Sequence, residues 1–200
     1  MTKESLKGQV FNVGPTKNIT ITLLGEHQLR NAAVVLKTLE VLKKRGYSIS
    51  DDALYEGFRK AKWLGRFELL QENPPFIVDG AHNPHGVRSL VAGINTYFPG
   101  EKVTFVAGVL KDKNYKEMFD LIVPYAKRII AVEPGIYRAL SHHELKEFLQ
   151  ESYEVEVIEA GGINEGIKKA LELSSSNEAI CAFGSLYMVG AIREYFGLYR

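Results

Sequence analysis

Pro75-Phe76-Ile77-Val78-Asp79-Gly80-Ala81-His82-Asn83-Pro84-His85-Gly86-Val87 is the stretch on which the reading of this chain turns. Its first four residues are an apolar run, and a helical pattern begins near Val87. Between them a carboxylate, two imidazoles, an amide and two glycines are crowded into one strand-to-helix turn. In an open α/β sheet such turns form the edge where ligands bind. Gly80 and Gly86 permit unusual backbone angles or the close approach of a ligand. Loops held on rigid scaffolds carry most binding residues, so the turn reads as a binding turn rather than as packing alone.

Downstream of this turn, strand and helix alternate regularly. Residues 67–70 and 76–78 read as strands and 87–98 as a helix. Residues 103–109 are a nearly continuous apolar run, as expected for a strand covered on both faces. A helix is expected over 115–126 and a strand over 128–132. Ser141-His142-His143-Glu144 has the form of a capping box and opens a helix to about residue 151. Residues 154–158 alternate charged and apolar and read as a half-exposed strand. Gly161-Gly162 reads as a turn into a helix over 164–173, and 179–183 and 185–196 as the last strand and helix. This alternation predicts an α/β fold, Rossmann-like, with a mostly parallel sheet and helices on both faces.

Upstream, the pattern is different. Residues 9–13 and 19–24 read as strands around a Gly14-Pro15 turn. Leu29, Ala32, Ala33, Leu36, Leu39 and Leu42 recur at helical spacing over 28–45, Gly46 stops that helix, and Ser50 caps a shorter one over 51–61. Two short strands and two helices make a thin unit with little core of its own. Residues 1–64 are therefore expected to be the end of a larger domain, and residues 65–200 a domain of their own.

Bulk properties narrow the function. With 25 basic and 24 acidic residues the net charge is +1, and 46% of the 200 residues are hydrophobic. That balance gives no global reason to expect nucleic acid or an anionic membrane as partner. No apolar stretch approaches membrane-spanning length, and no signal-peptide pattern opens the chain. The single cysteine, Cys181, lies in an apolar run and reads as a buried thiol in a reducing cytoplasm. No set of cysteine and histidine residues has zinc spacing, so no metal site is expected. No G-x-x-x-x-G-K-[ST] phosphate loop occurs.

Four further turns carry chemistry, each with a plainer alternative. Gly25-Glu26-His27-Gln28 with Asn31 opens the first long helix; capping and solvation are the alternative. Trp63-Leu64-Gly65-Arg66-Phe67-Glu68 falls at the junction of the two parts, where the planar fork of Arg66 suits a phosphate or carboxylate; a surface pair with Glu68 or Glu72 is the alternative. Lys111-Asp112-Lys113-Asn114 follows the buried strand and holds two lysines that can bind an anion, or forms a solvated loop. Gly184-Ser185-Leu186-Tyr187 joins the last strand to the last helix, where free N–H groups attract anions or Ser185 simply caps. His142-His143 reads as capping and surface, because adjacent helical residues diverge too far to share a metal.

In series, Gly25-Glu26-His27-Gln28 with Asn31-Ala32, Gly65-Arg66-Phe67-Glu68, Asp79-Gly80-Ala81-His82-Asn83-Pro84, Asp112-Lys113 and Gly184-Ser185-Leu186-Tyr187 resemble the C-terminal part of the folylpolyglutamate synthase and dihydrofolate synthase family of the Mur ligase superfamily. The resemblance spans about residues 9–197. It implies an ATP-dependent amide ligase that adds L-glutamate to folate through an acyl phosphate, with ATP and Mg2+ as cofactors. It implies that residues 1–64 are the end of the central ATPase domain and that the rest is the glutamate-ligase domain. By the same resemblance Asn31, Arg66, Asp79 and His82 serve ATP, and Ser185 with Lys111 or Lys113 serves glutamate. Asn114 departs from the family run, which ends in a second aspartate. No residue is given a catalytic role. The phosphate loop, the magnesium ligands and much of the folate site belong to the family's N-terminal half, so this chain is expected to be a monomeric cytoplasmic fragment without ligase activity alone. A sibling cell-wall ligase and a non-catalytic nucleotide- or amino-acid-binding α/β module are the competing readings.

Overall fold

A computed structural model describes residues 2–199. The chain divides into two compact units, Met1–Trp63 and Leu64–Arg200.

In the first unit, β1 (Lys3–Ser5), β2 (Gly8–Val13) and β3 (Thr16–Ile21) form an antiparallel sheet in the order β1-β2-β3. Strand β1 leaves no signal in the sequence. Lys3-Glu4-Ser5 has no apolar alternation, and only its pairing with Gly8–Val10 makes it a strand. Two helices, α1 (Glu26–Lys44) and α2 (Asp51–Lys60), follow. Ser50 caps α2, its side chain accepting from the Ala53 N–H at 3.1 Å. Phe11, Ile19 and Ile21 from one face of the sheet meet Ala32 and Leu36 of α1 and Phe58 of α2. The unit thus has a core of its own, but a small one. Helix α1 buries only the Gln28, Ala32 and Leu36 stripe, while Val34 and Val35 stay 66% and 47% exposed.

The second unit holds a six-stranded sheet. Its strands are β4 (Glu68–Glu72), β5 (Pro75–Val78), β6 (Val103–Ala107), β7 (Ala126–Glu133), β8 (Glu156–Gly162) and β9 (Ile180–Phe183). Their spatial order is β4-β5-β9-β6-β7-β8. Strand β4 runs antiparallel to β5, and every other pairing is parallel. The helices are α3 (Pro84–Tyr97), α4 (Tyr115–Ile122), α5 (His142–Ser152), α6 (Ile163–Leu173) and α7 (Leu186–Tyr195).

The side-chain period of two assigns each strand residue to a face. Phe76, Val78, Val106, Ile130, Val132, Ile180 and Ala182 face Ile167 and Ala170 of α6 and Met188, Val189 and Ile192 of α7. The alternate residues face the other way, where Phe105 and Phe183 meet edge-on at 5.6 Å and Phe119 of α4 lies 6.0 Å from Phe183. Both faces are covered, which explains why β6 and β9 are buried at every position. The mostly parallel sheet with helices on both faces is as the alternation indicated.

Several element ends differ from the sequence reading, and three of these differences have a direct local cause or consequence. Helix α4 stops at Ile122, not at 126, because Pro124 lacks the N–H an α-helix needs and sits in a 3-10 turn, Val123–Tyr125. Strand β7 accordingly starts early, at Ala126. Gly161-Gly162 is not a turn but the end of β8, with Gly162 paired to Glu133 and the Glu165 carboxylate accepting the Gly162 N–H at 3.2 Å.

Candidate functional site at the carboxyl rim of the sheet

The carboxyl ends of β5, β9, β6 and β7 lie side by side, and the turns leaving them are stitched together by backbone hydrogen bonds. The Gly184 N–H donates to Ala81 O at 2.9 Å, which ties the turn after β9 to the turn after β5. The Gly108 N–H donates to Phe183 O at 3.3 Å, which ties in the loop after β6. Gly184 has φ +113°, and a Cβ built there would lie 2.4 Å from Gly108 O. Only glycine permits this approach.

At the centre is Asp79. Its Oδ2 accepts the Phe67 N–H and its Oδ1 the Ala81 N–H, both at 2.7 Å. The Gly80 N–H donates to Gly65 O at 2.7 Å. These bonds clamp the Gly65–Phe67 segment onto the turn after β5 and hold Phe67 at a positive φ of 44°. Burial pushes the Asp79 carboxyl up to about 6, although the two backbone donors, Arg66 and His82 all favour its ionised form.

Arg66 and His82 belong to the same cluster. A Cβ on Gly80 would sit 3.3 Å from Arg66 Nη1, so the guanidinium lies over that glycine. Glu68 accepts the Gly65 N–H at 2.8 Å and pairs with Arg193 of α7. His82 Nδ1 lies 2.8 Å from Gly80 O. The rest of the motif builds the next helix: the Asn83 side chain caps α3 by accepting the Gly86 N–H at 2.8 Å, and Pro84 occupies its first turn.

Ser185 is the N-cap of α7 and is 2% exposed. Its Oγ accepts the Tyr187 N–H at 3.2 Å. Capping and a place on the ligand edge therefore coexist in this residue. Lys111 and Lys113 lie on the loop after β6. Lys111 pairs with Glu144 at 3.2 Å, and no ion pair among the described residues involves Lys113. Asn114 caps α4 by accepting the Glu117 N–H.

The structure thus brings Arg66, Asp79, His82, Ser185, Lys111 and Lys113 to one rim. Asn31 belongs to the other unit. It is exposed near the start of α1, and its Nδ2 donates to Gln28 Oε1 at 3.1 Å. His142 and His143 are surface residues at the start of α5, where both approach Glu159. Among the described residues no three His, Cys, Asp or Glu side chains are placed to hold a metal. At the rim, Arg66 can offer a cation to a phosphate, and each Asp79 oxygen keeps a lone pair for a sugar hydroxyl.

Arg138, which no motif in the sequence marks, lies on this rim. Its Nη1 pairs with Asp112 Oδ2 at 2.9 Å, and the Tyr187 side chain lies beside it. Its only signal in the sequence was its place after a strand and a Pro134-Gly135 break.

Residues 65–186 match the family model of the Mur ligase glutamate ligase domain. The chain belongs to that family. The glutamate ligase domain therefore accounts for the six-stranded unit. Over 183 residues the chain is 34% identical to the dihydrofolate synthase/folylpolyglutamate synthase of Bacillus subtilis, covering 89% of this chain and 41% of that protein. A structure of Mycobacterium tuberculosis folylpolyglutamate synthase complexed with ADP and AMPPCP superposes with a TM-score of 0.80 at 28% identity, over 90% of this chain and 42% of that one. A bifunctional folylpolyglutamate synthase/dihydrofolate synthase with Mn, AMPPNP and L-glutamate bound gives 0.72 at 26% identity, over 85% and 40%. The chain spans about two fifths of the length of these relatives.

Proposed function

We propose that this chain is the glutamate-adding part of an ATP-dependent ligase that extends folate with L-glutamate. The observation that carries the reading is the convergence of Arg66, Asp79, His82 and Ser185 on one carboxyl rim in a glutamate ligase domain. Residues 1–64 are then the end of the central ATP-binding domain. Its phosphate loop and magnesium ligands lie outside this chain, and Asn31 faces the adenine. Dihydropteroate is a further candidate substrate. The protein is taken to be a cytoplasmic monomer.

The chemistry asks for two steps. A folate carboxylate oxygen attacks the γ-phosphorus of ATP and ADP leaves. The glutamate amine then attacks the acyl phosphate carbon, phosphate leaves with its oxygen, and the amine loses a proton. In this chain Arg66 neutralises phosphate charge at the rim, with its guanidinium fixed over Gly80 before the reactants arrive. Donors fixed in advance are what stabilise charge that develops in a transition state. The Asp79 clamp holds the segment that bears Arg66. Ser185 and Lys111 or Lys113 position the amino acid.

The complete ligase should form ADP when given ATP, L-glutamate and a reduced folate, and should not when a muramyl precursor replaces the folate. The 200-residue chain alone should form none. ADP formation with the muramyl precursor and not with folate would transfer the assignment to a cell-wall ligase. Turnover by the isolated chain would refute its dependence on a further domain.

A further inference from the structure

The loops after β6 and β7 are zipped together at the rim. The Lys111 N–H donates to Arg138 O at 2.9 Å, the Leu140 N–H donates to Val109 O at 3.0 Å, and Leu110 bridges Ala139. This fixes the backbone at Arg138 and Asp112 alike. The guanidinium of Arg138 is therefore presented on a rigid base, beside Tyr187 and two residues from the Ser185 cap.

We propose that Arg138 is the residue that reads a carboxylate of the incoming amino acid, and that Asp112 occupies its fork until the amino acid displaces it. The proposal rests on the reading of this rim as a glutamate site. A guanidinium offers five donors in a planar fork that matches a carboxylate. The contact with Asp112 uses only Nη1, so the fork is not saturated. The side chains of Arg138 and Asp112 are 37% and 47% exposed. An exposed pair of this kind holds its partners by no more than about fivefold, so a substrate carboxylate can take the position of Oδ2. Lys111 is a weaker candidate for this task, since its ammonium is a point charge without the planar fork that matches both oxygens of a carboxylate.

A structural tie between two loops and a masked recognition site make opposite predictions for the two partners. L-glutamate is titrated calorimetrically into the 200-residue chain and into its Arg138→Lys and Asp112→Asn variants, with L-glutamine as a second ligand. Arg138→Lys keeps the charge and loses the fork, and should weaken glutamate roughly tenfold or more. Asp112→Asn should tighten it, by up to about fivefold. Loss of discrimination against glutamine in Arg138→Lys identifies the side-chain carboxylate as the group read, and parallel weakening of glutamine identifies the α-carboxylate. Unchanged glutamate affinity in Arg138→Lys, or weakening in both variants, overturns the proposal while leaving the rim a glutamate site. No glutamate binding by any of the three proteins overturns the reading of the rim itself.

Discussion

At the residue scale the rim depends on Asp79. A carboxylate with a backbone N–H on each oxygen is ordinarily held ionised, yet burial wins here and the carboxyl rises to about 6. The folded state therefore binds this proton more tightly than the unfolded chain, whose carboxyl titrates near its ordinary value of 3.8. Stability from this group is greatest below that value and falls as pH rises through the window up to about 6. Denaturant midpoints measured across the window should show this decline in the wild type and lack it in Asp79→Asn. At the acid end of the window that variant should be less stable than the wild type, by about 1–3 kcal/mol, because its amide NH2 faces a backbone donor, and the gap should narrow as pH rises. Gly184 is the second residue on which the rim depends. Gly184→Ala sets a Cβ 2.4 Å from Gly108 O at a φ of +113°. It should lower stability by on the order of 2 kcal/mol or more in thermal unfolding. The importance of both positions was legible as a motif. Their partners were not, because Phe67 N and Gly108 O reach them only through the fold.

Elements were legible where one local rule governed them. The Ser141 capping box could be read from four residues and is present in full, with the Ser141 Oγ accepting the Glu144 N–H at 3.2 Å and the Glu144 carboxylate accepting the Ser141 N–H at 3.0 Å. Ser141→Ala should destabilise by about 1 kcal/mol in urea unfolding. Glu144, held below the usual carboxylate range at about 2 chiefly by Ser141, should then titrate higher. Elements decided by pairing were not legible. Strand β1 exists only because β2 lies beside it, and the glycine pair at the end of β8 carries a turn's composition but pairs with Glu133. The insertion of β9 between β5 and β6 was equally hidden. An apolar run says that a strand is covered on both faces and nothing about its neighbours. Arg138 escaped notice for the same reason, since its meaning comes from β7 lying next to β6.

At the scale of the whole chain, the alternation of strand and helix from residue 67 onward was enough to give the sheet class, and the sheet class gave the ligand edge. The comparisons place this unit in the Mur ligase glutamate ligase domain. The central claim is that the carboxyl rim, and no other surface of the six-stranded unit, takes the ligands. Amide shift mapping of the isotopically labelled chain during titration with L-glutamate, and then with AMPPCP, tests this most directly. Shifts are expected in this unit only at the turns around Arg66, Asp79–His82, Lys111–Lys113, Arg138 and Ser185–Tyr187. Shifts clustered at the opposite rim, around Thr104, Glu178 and Arg128, would contradict it.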